Sequence, residues 1–138
     1  MHSSGDFLGT PNLNYEAWRD AVRSFCGRYT PDGIEPKAFS GRARLRTIFG
    51  FRAVELSSNA YRLERTHQDV RGDARDHYCA IFQMAGQSRV VQNDRIVELT
   101  VGDVALVDAA RPVTFVSEKG GEYWGSLQLQ RRSPLGCP

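Results

Sequence analysis

Histidine is scarce in this chain of 138 residues: His2, His67 and His77 are the whole supply. No H-x-H pair occurs, so no single strand can present the tight histidine set of a facial metal site. A small metal enzyme would need His67, His77 and the aspartates of "THQDVRGDARDH" to converge; the plainer reading of that stretch is a solvated polar loop. Cysteine is scarce too. Cys26, Cys79 and Cys137 are odd in number, far apart and free of any C-x-x-C pair, which excludes a zinc knuckle and a disulfide framework. Cys79 lies in an apolar run and reads as a small buried hydrophobe. Lysine is nearly absent, with Lys37 and Lys119 against sixteen arginines. A buried carboxylate here should therefore meet an arginine fork.

Other absences narrow the function further. No apolar run approaches the length of a membrane span. The N-terminus "MHSSGDFLGTPN" lacks the apolar centre of a signal peptide, and its "HSSG" is as much like a tag remnant as native sequence. A reducing cytoplasm is the expected setting. No G-x-S-x-G elbow and no Cys–His neighbours mark a nucleophile. "GG" at 120–121 precedes a strand, so it is not a phosphate loop. A net charge of +2 is too small for a nucleic-acid groove. One amphipathic helix does not make a helix-turn-helix.

What is present is the material of one domain: 41% hydrophobic and 25% charged residues. Residues 1–13 form a polar arm without periodicity, expected to be flexible. Tyr15, Trp18, Val22 and Phe25 then follow helical spacing, with Asn14 as N-cap and an end near Gly27. "TPDG" at 30–33 is a turn. From "RARLRTIF" onward the period falls to two, with Ala43, Leu45, Thr47 and Phe49 on one face and arginines on the other. Further strands are expected at 51–57, 60–66, 77–85, 88–92, 95–99, 104–107, 113–117 and 122–130, with a hairpin at "QND" 92–94. Strands at this density indicate an all-β sandwich or barrel.

The strand 60–66 carries the sharpest clue. Leu63 should face inward, and Arg65 shares its face; an inward arginine is costly unless paired. Two readings stay open: a salt bridge to a rim carboxylate, or a fork holding an acidic or carbonyl-bearing molecule. Thr47, Tyr78, Phe82 and Tyr123 belong to the expected interior. Trp124 has the opposite parity to Tyr123, Leu127 and Leu129, which places it outside under the N-terminal helix.

The order of "YEAWRDAVRSFCGRY", "AYRLERT", "HYCAIFQMAGQSRVVQNDRIVELTVGDVALVDAARPVTF" and "YWGSLQLQRRSPLG" resembles the N-terminal effector-binding domain of AraC/XylS-family transcription regulators. The resemblance covers residues 14–136. It implies a mainly β fold: a cupin-like double-stranded β-helix barrel, or jelly roll, over 14–138 with an N-terminal α-helix. It also implies a ligand-sensing role without metal or other cofactor, and no enzyme activity. In such regulators, helices that form a homodimer and a helix-turn-helix domain that binds DNA follow the barrel, and both are absent from this chain. The expected effector is a small, partly apolar aromatic acid or aldehyde. Arg65 would take its polar end, Tyr61, Tyr78, Phe82 and Tyr123 would wall its ring, and Thr47 would share the interior. The alternatives are a small cupin-type metal enzyme and a ligand-free protein-interaction module.

Overall fold

The change from helical to two-residue periodicity becomes, in the computed structural model, one long helix followed by two facing antiparallel sheets; residues 10–119 and 121–129 are described. Helix α1 spans Tyr15–Phe25, and the Asn14 side chain caps it by accepting from the Ala17 amide at 2.9 Å. It ends at Cys26 and Gly27, whose amides both turn back onto the Val22 carbonyl, with Gly27 at φ +126°. Trp18 and Val22 on its inner face are fully buried. Trp18 also ties α1 to the barrel: its indole N–H donates to the Arg42 and Ser57 carbonyls at 3.1 and 3.0 Å.

The strands are β1 Thr30–Asp32, β2 Gly41–Ile48, β3 Phe51–Ser58, β4 Arg62–Arg65, β5 Tyr78–Ala85, β6 Ser88–Gln92, β7 Arg95–Leu99, β8 Val104–Asp108, β9 Val113–Ser117 and β10 Glu122–Leu129. One sheet has the order β1-β4-β9-β6-β7 and the other β2-β3-β10-β5-β8. This is the double-stranded β-helix barrel that the family resemblance implied, and one of the two all-β architectures that the strand density allowed. Hairpin β6–β7 turns through Asn93 and Asp94, both at positive φ, as a two-residue primed turn requires. At the Gly-Asp corner before β8, Gly102 takes φ +97° while Asp103 accepts from the Thr100 amide at 2.9 Å.

Several local expectations are corrected. Residues Thr30–Asp32 form a short strand paired with β4, and the turn falls at Gly33. The stretch read as a polar loop contains helix α2, His67–Asp73. Thr66 and Asp69 close a reciprocal capping box there, with the Thr66 hydroxyl accepting from the Asp69 amide at 3.1 Å. Of the arm, residues 1–9 lie outside the described residues. Its described end is pinned: the Leu13 amide donates to the Gly41 carbonyl at 2.7 Å, and the Ser40 hydroxyl donates to Asn12 at 2.7 Å.

Between the sheets lies one continuous apolar cluster. Val54, Leu56, Cys79, Ile81, Ala105, Val107 and Trp124 come from one sheet, and Leu63, Val90, Val113 and Phe115 from the other. Helix α1 adds Trp18 and Val22, and its C-cap adds Cys26, so the helix closes the barrel rather than merely lying on it.

Candidate functional site

At the centre of this cluster is a void of about 30 Å³, lined by Cys26, Tyr29, Val54, Leu56, Leu63, Cys79, Ile81, Phe115, Trp124 and Ser126. Its walls come from the end of α1, the segment after it, and five strands. The lining is almost wholly apolar, with the Tyr29 phenol and the Ser126 hydroxyl as its oxygen-bearing side chains. Phe115 stands between two aromatic neighbours, 5.7 Å from Trp124 and 6.3 Å from Tyr29, centroid to centroid. The two thiols are inert: burial pushes Cys26 up to about 12 and raises Cys79 as well, so neither supplies a thiolate at neutral pH.

Arg65 points inward, as its parity required, and its side chain is fully buried. Its guanidinium is already engaged. Nη1 and Nη2 grip the two Asp73 oxygens at 2.7 and 2.8 Å, Nε and Nη2 donate to the Ala109 carbonyl at 3.0 and 2.9 Å, and Nη1 reaches the Arg28 carbonyl at 3.2 Å. A guanidinium has five N–H donors, and these contacts use all five. The cation also lies 5.6 Å from the centre of the Tyr29 ring. Asp73 in turn accepts from the Arg28 and Arg75 amides at 2.7 and 3.1 Å. Burial alone would raise its carboxyl, but Arg65 and these amides outweigh burial and hold it at about 2. Arg65 thus fastens β4 to α2, to the segment after α1 and to the β8–β9 loop. No donor remains for the end of an acid or carbonyl compound.

The other residues expected in the interior are elsewhere. Tyr78 and Phe82 alternate with buried Cys79, Ile81 and Gln83, so they lie half-buried on the outer face of their sheet. Tyr61 precedes β4 and is 43% exposed. Thr47 is exposed near the end of β2, together with Leu45 and Phe49, because this edge hairpin runs past the barrel. Tyr123 and Trp124 exchange the faces expected of them. The alternation of β10 itself is regular, with Glu122, Trp124 and Ser126 inward and Tyr123 and Leu127 outward; the one-residue slip in its pairing with β5 is taken up at Met84, on β5. The Tyr123 hydroxyl contacts Glu55 on the outer face at 3.2 Å.

A second buried cluster is polar. Glu122 is 1% exposed, and it accepts from Gln83 Nε2 at 2.7 Å and from the Ser117 hydroxyl at 2.6 Å. Ser88 links Gln83 to the Trp124 indole, donating at 2.6 Å and accepting at 3.3 Å. Burial raises the Glu122 carboxyl above its ordinary value, and the hydrogen bonds only moderate the effect. His67 lies at an open polar cleft with Asp94, Asp108 and Arg111. His77 is partly buried, and burial with the nearby Arg75 and Arg65 charges lowers its pKa. Among the described residues, no group of three or more His, Cys, Asp or Glu side chains is gathered as a metal would need.

Fold and interior together define a small β-barrel with an apolar centre. The family model of the AraC-binding-like domain matches residues 18–132, and the chain belongs to that family. Its barrel is similar to the crystal structure of the AraC-like transcriptional activator CuxR, with a TM-score of 0.66 and 15% identity, over 87% of this chain and 47% of that one. It is also similar to an HTH_3 family transcriptional regulator from Vibrio cholerae, with a TM-score of 0.54 and 11% identity, over 67% of this chain and 52% of that one. A curated relative, the "uncharacterized protein in nit 5'region" of Bacillus sp. (strain OxB-1), is 24% identical over 98 residues, 71% of this chain and 38% of its own. The chain thus spans less than half of that relative and of CuxR. Family and fold support a regulatory, effector-binding domain. No helix among the described residues is long and apolar enough to cross a membrane.

Proposed function

We propose that this chain is the sensing domain of a cytoplasmic transcription regulator, and that its effector is a small, uncharged, largely apolar molecule of aromatic-aldehyde type received between the two sheets. The observation that carries this reading is the void walled by Tyr29, Phe115 and Trp124, beside an arginine with no donor to spare. An acid seated there would leave its carboxylate without a cation, whereas an aldehyde needs one hydrogen bond, which Ser126 or Tyr29 can supply.

Size gives the reading its regulatory content. An engineered protein cavity that binds benzene measures about 150 Å³, some five times this void. An aromatic effector must therefore move a wall. The wall outside the sheets is the segment Cys26–Tyr29, continuous with α1; it is held at Arg28 by Arg65 and Asp73, so an effector that moves it must work against that pair. Occupancy of the centre would then be read as a displacement of α1. DNA binding and dimer formation are assigned to other parts of the regulator, and the domain itself carries no catalytic activity.

Thermal shift with benzaldehyde and benzoate tests the proposal. Benzaldehyde should raise the Tm saturably, by an amount equivalent to about 2.7 kcal/mol at 100 times its Kd. Benzoate should do so far less, and Ser126→Leu, which fills the void, should abolish the effect while the barrel stays folded. Equal stabilisation by both compounds, or an undiminished shift in Ser126→Leu, would overturn the assignment.

A further inference from the structure

The three arginines of β2 with outward parity are not provided for alike. Arg44 Nε donates to Glu55 at 2.7 Å, and Arg46 Nη1 reaches the same carboxylate at 3.5 Å. Arg42 has Ser57 as its cross-strand partner, so the position that holds an acid for its neighbour holds a hydroxyl here. Its Nε is buried with no hydrogen-bond partner, and among the described residues no carboxylate pairs with its guanidinium. A charged donor buried and unmet is costly, and such groups are normally satisfied by water or by a ligand.

Arg42 lines a groove of about 410 Å³, together with Asn12, Ser40, Ser57, Ser58 and Asn59. The hydrogen bonds already made leave donors facing it. The Asn12 Oδ1 is taken by the Ser40 hydroxyl, which leaves its Nδ2 hydrogens unengaged among the described residues. The Ser58 hydroxyl accepts from the Ala60 amide at 2.9 Å and keeps its own proton. Glu122 is also in the groove lining, and Glu55 lies behind Tyr123; both carboxylates are committed. Glu122 holds Gln83 and Ser117, while Glu55 holds Arg44, Arg46 and Tyr123. The groove is therefore rich in donors around one unpaired cation.

We propose that this groove binds a small oxyanion, a carboxylate or phosphoryl group, gripped by Arg42 and by the amide and hydroxyls around it. It is a second site, sharing no lining residue with the void between the sheets. A planar guanidinium suits such a group because two parallel N–H donors match two oxygens. Anionic ligands and apolar ligands would thus reach the domain at different places.

The test titrates the protein with inorganic phosphate in one arm and acetate in the other, at ionic strength held constant with chloride, and follows the Tm. A saturable rise is expected in at least one arm, which also distinguishes phosphoryl from carboxylate recognition. Arg42→Gln should bind that anion roughly 10- to 100-fold more weakly, as loss of a charged hydrogen-bond partner implies. Arg95→Gln, an exposed arginine on β7, should match the wild type. Ser57→Asp places a carboxylate opposite Arg42, as Glu55 stands opposite Arg44. It should raise the Tm of the free protein and abolish the anion effect without removing the arginine. The proposal is overturned if stabilisation tracks ionic strength alone, or if it survives in either Arg42→Gln or Ser57→Asp.

Discussion

Asp73→Asn is the most informative single change to the scaffold. It keeps the shape of the side chain, removes its charge, and leaves the fully buried Arg65 facing a neutral amide. Removing one partner of a buried ion pair costs about 3–5 kcal/mol, because the other charge stays buried. The carboxyl gives an independent lower figure. Lowering it from 3.8 to about 2 corresponds to roughly 2 kcal/mol of folding free energy at neutral pH. For a domain of this size, a loss of 3–5 kcal/mol should depress the Tm by roughly 10–15 °C. The folded-state value lies below the unfolded one, so this contribution is fully present above about pH 3.8 and is lost as pH falls through about 2. The difference between wild type and Asp73→Asn, measured by urea unfolding, should therefore be widest near pH 7 and narrow steadily below pH 4. Combining Arg65→Met with Asp73→Asn should cost less than the two single changes added together. A variant within about 1 kcal/mol of wild type at pH 7 would refute the claim that this pair holds the segments together.

Three further outcomes follow from the geometry. Gly41→Ala should cost about 2–3 kcal/mol in chemical unfolding, since a Cβ there would stand 2.5 Å from the Ser57 carbonyl and 2.8 Å from the Trp18 indole nitrogen; a neutral result would mean that α1 is not held against β2 and β3 as described. Glu122 carries the opposite pH sign to Asp73: its folded-state carboxyl is raised above 4.5, so wild-type stability should decline as pH rises beyond that value, and Glu122→Gln should flatten this limb of the profile. Phe115→Ala removes the aromatic between Tyr29 and Trp124 and should destabilise by about 3–5 kcal/mol; enlarging the void, it should also strengthen benzaldehyde binding relative to the protein's remaining stability, which thermal shift would show.

The fold was largely legible because its signals are local. Asn14, the spacing from Tyr15 to Phe25, the primed turn at Asn93–Asp94 and the Gly102–Asp103 corner each dictate a backbone conformation within a few residues. Helix α2 was not among the expected elements: the charged stretch around it reads as loop, and its one local signal is the reciprocal pair Thr66 and Asp69. The faces of β5 and β10 were not. Both strands carry apolar residues on either side: Cys79 and Ile81 within, Tyr78 and Phe82 without; Trp124 within, Leu127 without. With Val104 and Leu106 left 52% and 64% exposed on the same outer face, alternation cannot say which side is the core. The whole of β10 therefore presents the opposite face to the core from the one expected, with its alternation intact from Glu122 to Leu127. For Arg65, parity gave the direction correctly, and the two readings left open were a salt bridge and a ligand fork. Asp73 decides between them, at the end of a helix whose charged sequence resembles a loop.

The central claim is that the effector lodges between the sheets, and methyl NMR tests it most directly. Titration of the isotope-labelled domain with benzaldehyde should produce ring-current shifts on the methyl groups of Val54, Leu56, Leu63 and Ile81, which line the void. The methyls of Leu106 and Val104 on the outer face should stay in place. Shifts confined to those outer methyls, or no saturable shift at any lining methyl, would contradict the account.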